Sequence, residues 1–174
     1  MRVSATIDAS GALGATLEIL TAGIVATLAT DLWHRLLHIV IALPPAQWGL
    51  VGRWIAWMPR GVLLHRPITA TPQVRGEQAI GWIFHYVVGI VYAALYLAIM
   101  RLGLGSAPTV VSALIFAIAL LVAPWLVMQP ALGFGFFAAR FPNRAAVRAV
   151  NVSVHAIFGL GLYLGATAWS IIAS

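Results

Sequence analysis

The sequence predicts an all-α integral membrane protein: a four-helix transmembrane bundle with an interfacial amphipathic helix in its first cytoplasmic loop. Three observations predict it. Of 174 residues, 62% are hydrophobic and only 8% charged, where a soluble domain carries roughly a quarter charged. Mean hydropathy is +0.99. Four stretches stay apolar for the length of about 20 residues that a helix needs to cross a bilayer. The arginines, finally, crowd onto alternate loops, as the positive-inside bias requires.

Residues 1–12 read as a short extramembrane tail, and residues 13–174 as a single membrane domain. Arg2, Asp8 and Glu18 do not fit the pattern of a cleaved signal peptide. The first span, about 19–43, is stopped by Pro44-Pro45 and carries Asp31, His34, Arg35 and His38. The second, about 78–100, lies between Glu77 and Arg101 without a formal charge. The third, about 108–128, sits inside an uncharged run, with Pro124 predicting a kink. The fourth, about 149–172, follows Arg148. Glu18 and Glu77 suit first helical turns, where an acid complements the dipole.

The loops after spans one and three hold Arg53, Arg60, Arg66, Arg75, Arg140 and Arg144, against Arg2 and Arg101 on the other side. Both loops are therefore expected in the cytoplasm of a bacterial inner membrane, and both termini outside. The formal charge of +6 then points to anionic lipid headgroups rather than nucleic acid. In the first loop, Trp48, Trp54 and Trp57 suit a helix at headgroup level. The second loop, QPALGFGFFAARFPNR, is expected to fold against the membrane surface.

With no cysteine and no lysine, thiolate and Schiff-base chemistry are excluded. Counting 1.5 Å per residue from the span ends puts His34, His85 and His155 at roughly the same depth, 10–14 Å below the cytoplasmic edge. Asp31 lies one turn deeper, on the same face as His34 and His38. Two readings stand. The set Asp31, His34, His85 and His155 can hold a metal or haem iron. Equally, these residues can hydrogen-bond between helices, with Asp31 neutralised by Arg35 four residues on. Arg53, Arg60, His65, Arg66 and Arg75 can likewise bind an anion or headgroup, or simply anchor the topology. Gly161 and Gly165 form a GxxxG step, with Gly159 nearby, for close packing in the bundle or a dimer. His85 and Gly89 are echoed by His155 and Gly159, the mark of a weak internal repeat.

The strings Asp31-Leu-Trp33, LVGRWIAWMPRG (50–61) with His65 after it, GEQAIGWIFHYVVG (76–89), MQPALGFGFFAARFPN (128–143) and HAIFGLGLYL (155–164) together resemble a bacterial family of membrane proteins classed as domain of unknown function 2938. The resemblance covers about residue 19 to the C-terminus. It implies a four-span membrane protein and no particular activity. It places Asp31, His65, Glu77, His85 and His155 in family strings and makes His34 and His38 departures. The function expected is a structural or accessory membrane component. The alternative is a small metal- or haem-binding redox module, and an oligomeric transporter comes third.

Overall fold

The computed structural model describes residues 9–172, with side chains from residue 11 onward. Every regular element among them is helical, in the order α1 (Ala9–Ile41), α2 (Trp48–Trp57), α3 (Glu77–Ala98), α4 (Val110–Ala119), α5 (Gln129–Ala131) and α6 (Arg144–Ile172). Of the expected N-terminal tail, residues 1–8 lie outside the described residues, and Ala9–Ala12 already belong to α1. Four helical segments are long and apolar enough to cross a membrane: Gly11–Ile41, Glu77–Gly103, Val110–Ala131 and Arg144–Ile172.

Helix ends follow local chemistry. α1 stops where Ala42 turns to φ 51° ahead of the two prolines. α4 starts on a capping box, the Thr109 hydroxyl accepting from Ser112 N while the Ser112 hydroxyl accepts from Thr109 N. Pro124 has no N–H to continue the ladder, and the third segment widens there into a π-helical stretch, Ala123–Met128.

Small residues decide which helices touch. A Cβ added at Gly161 would stand 2.5 Å from Ala26 Cα, and one at Gly165 2.6 Å from Ala22 Cα. The GxxxG step is thus spent inside the bundle, on α1, and offers no seam for a dimer. Gly89 packs on Thr27 of α1, and Gly159 on Ala113 and Ala117 of α4. α1 and α6 are the most intimate pair of long helices, flanked by α3 on α1 and α4 on α6. Tyr96, buried in α3, reaches α4 through its hydroxyl, 2.8 Å from Ser112 Oγ. The outer surface is apolar: Leu32, Ile83, Val111 and Leu164 are each more than half exposed.

A second cluster caps one end. Val51 and Trp54 of α2 meet Ile68 of the first loop and Ala131 and Leu132 at the end of the third long segment. His65 N donates to Ala131 O at 2.8 Å and Ile68 N to Leu132 O at 3.0 Å. The second loop therefore folds against the first loop, because its free carbonyls find N–H donors there. Gly133, at φ 86°, makes that approach possible: a Cβ would sit 2.6 Å from His65 O.

The α1–α6 contact yields a test. Gly161→Ala forces backbone apart and should cost about 1–3 kcal/mol, read as a lower unfolding midpoint in detergent. Gly14→Ala, with open space around it, should leave the midpoint level or raise it. Equal effects would contradict the packing.

Candidate functional site

A cavity of about 300 Å³ opens inside the bundle, walled by all four long helical segments and by α2. α1 contributes Thr27, Thr30 and His34; α3 contributes His85 and Tyr92; α6 contributes Val154, His155 and Phe158. Trp48 and Trp54 of α2 line it at the capped end, and Pro124 belongs to its wall in the third segment. His34, His85 and His155, one from each of three helices, thus share one cavity. A second space of about 220 Å³ lies beside it, with His34 and Trp48 common to both walls and Asp31, Arg35 and His38 on the far side.

The three imidazoles differ in what they do. His85 Nε2 donates to Asp31 Oδ1 at 2.9 Å, and the Tyr86 hydroxyl donates to Asp31 Oδ2 at 2.8 Å. Both carboxylate oxygens are engaged between α1 and α3. The expected pairing with Arg35 is corrected: among the described residues Arg35 joins no ion pair, because the partners across the helix interface reach Asp31 first. The His85 ring also stacks on Trp48, centroids 3.9 Å apart, tying α2 to α3.

His34 and His155 follow another rule. His34 Nδ1 lies 3.2 Å from Thr30 O and His155 Nδ1 2.9 Å from Asn151 O, each a carbonyl four residues back. A carbonyl only accepts, so Nδ1 carries the proton and the neutral ring keeps its lone pair on Nε2. Among the described residues no group of three or more His, Asp or Glu side chains is placed to hold a metal ion.

The anion set is likewise divided. Arg53 is buried, its Nε and Nη2 donating to Glu77 at 2.8 and 2.7 Å, its Nη1 to the carbonyls of Ile68 and Thr71. That bidentate pair raises the Arg53 pKa further and fastens α2 to the start of α3. Glu77 occupies its expected first turn but faces Arg53. Glu18 lies well inside α1 rather than in its first turn, because the helix starts earlier than expected, and accepts from Arg101 at 2.5 Å. Arg60 turns back to Ala56 O and over the Trp57 ring.

His65, buried in the cap, has Nδ1 2.8 Å from Thr71 Oγ1 and no partner on Nε2. Its role in fastening the loop escaped sequence reading; its place after the 50–61 string was the signal available.

Together these features define an all-helical protein with four helices long and apolar enough to span a membrane, arranged around a histidine-lined cavity. Residues 20–169 match the family model described as "Protein of unknown function (DUF2938)", and the chain belongs to that family. No curated protein and no solved structure matches it.

Burial pushes the His65 imidazole below its ordinary value, since the charged ring would lose its hydration inside the cap. Because the folded pKa is the lower one, this contribution to stability is full above about pH 6.5 and is lost as pH falls through the folded value. Between about pH 7.5 and pH 5.5 the unfolding midpoint of the wild type should fall further than that of His65→Asn. Equal falls would refute the assignment.

Proposed function

We propose that this is a multi-pass protein of the bacterial inner membrane that holds one small, mostly apolar molecule in the cavity of its bundle. The observation that carries the reading is the cavity itself. Tight helix packing elsewhere leaves one space bounded by every long helical segment, and it contains imidazole atoms the fold does not use. The expected structural role accounts for Asp31, His85, Glu18, Arg101, Arg53 and Glu77, all of which link helices. It does not account for His34 and His155 facing that cavity. A site of this kind suits an accessory membrane component whose ligand comes from the lipid phase.

In this reading the apolar outer faces meet lipid, and the α2 cap lies at the cytoplasmic headgroup level among the loop arginines. Arg66 then faces the cytoplasm and Ser106 the opposite side. With no native cysteine, single Arg66→Cys and Ser106→Cys variants report this cleanly. A membrane-impermeant maleimide added to intact cells should label Ser106→Cys only. The reverse pattern would overturn the orientation, and labelling of both would overturn the topology.

Ligand holding is tested with fluorobenzene and ¹⁹F NMR on protein in nanodiscs. An engineered cavity of about 150 Å³ admits benzene, so this larger space should show saturable binding beyond that of empty nanodiscs. Val154→Trp, which fills the space, should remove it. No saturable difference between wild type and variant would refute the reading.

A further inference from the structure

Resting on that reading, we propose that the cavity selects a neutral aromatic ring bearing a phenolic hydroxyl, which donates to the free Nε2 of His34 or His155. Size sets the first condition. A volume of about 300 Å³ is roughly twice that which accepts benzene, so a single ring with small substituents fits and a long chain does not. The walls set the second, since Trp48, Phe84, Tyr92 and Phe158 present aromatic surface.

Charge sets the third condition. Among the described residues neither an arginine nor a carboxylate lines this cavity. An anion would find no counter-charge there, and the transfer of an unpaired charge from water is strongly disfavoured. The ligand is therefore neutral.

Hydrogen-bonding polarity sets the fourth. The Nδ1 bonds to Thr30 O and Asn151 O leave both Nε2 atoms as acceptors. Three of the lining donors are already engaged: Thr27 Oγ1 donates to Gly23 O, Thr30 Oγ1 to Thr27 O, and Trp54 Nε1 to Leu63 O. Tyr92 adds a hydroxyl that both donates and accepts. A ligand that donates one O–H thus satisfies one of two imidazole lone pairs that an ether or a hydrocarbon leaves empty. The same chemistry comes from two sources, a tail-free phenol or the hydroquinone head of a lipid whose tail leaves between the helices.

The test compares 4-fluorophenol with 4-fluorotoluene, which share size and differ by one O–H, using ¹⁹F NMR on the full chain in nanodiscs. Each affinity is referenced to partitioning into empty nanodiscs. Wild type should prefer the phenol by about 3- to 10-fold, the worth of one hydrogen bond. The double variant His34→Leu/His155→Leu should abolish that preference, and at least one of the two single variants should reduce it, while 4-fluorotoluene binding persists, which shows that each variant still folds. Equal affinity of the two probes for wild type would overturn the donor rule and leave the cavity reading standing. If neither probe binds saturably, both fall. Decyl-substituted hydroquinone then fixes the source: displacement of 4-fluorophenol assigns a tailed head, and failure to displace it assigns a tail-free phenol.

Discussion

Asp31 is the residue around which the bundle is organised. It sits within an apolar helix, where an unpaired carboxylate would be costly, and it solves that problem by accepting from two residues of α3. The two bonds set the rotation of α3 against α1. They also present His85 to Trp48, and through that stack they seat α2 against the open end of the bundle. Thus one acid in the first span defines a wall of the cavity and positions its floor.

The other polar residues obey the same constraint. Glu18 takes Arg101, Glu77 takes Arg53, and the carbonyls freed where loops replace helix accept from Arg53, Arg140 and the backbone of residues 65–68. All of these links but the local one of Arg140 to Gly133 join segments well apart in sequence. Glycines do the complementary work, drawing α6 onto α1 and α4, so that free space collects where the helices are not drawn together. His34 and His155 stand out against this background because each spends one nitrogen on its own helix and leaves the other for the cavity.

Much of this arrangement was legible in the sequence, and for identifiable reasons. Helix rise is constant, so counting residues from the span ends was enough to bring His34, His85 and His155 together. Pro124 lacks an N–H wherever it stands, so its disturbance of the third segment needed no tertiary information. The partner of Asp31 was not legible. The i, i+4 rule points to Arg35 and knows nothing of Tyr86, 55 residues away. The cap was hidden for the same reason. Arg53 and Glu77 are 24 residues apart, and the pairing of residues 65–68 with Ala131 and Leu132 has no periodic signature. Tryptophan content pointed to a helix at headgroup level, but the burial of Trp54 and the stacking of Trp48 on His85 needed tertiary information.

The central claim is that Asp31 and His85 act as a unit that joins α1 to α3. The most direct measurement is a double-mutant cycle of Asp31→Ala and His85→Ala, read by SDS titration in mixed micelles. The account predicts a coupling of about 1 kcal/mol, the scale of interhelical hydrogen bonds in membranes. The double variant then loses less than the two single losses added together, even though the Tyr86 bond of Asp31 and the Trp48 stack of His85 are lost separately. Strictly additive losses would mean that the two side chains stabilise the bundle separately, and would contradict the account.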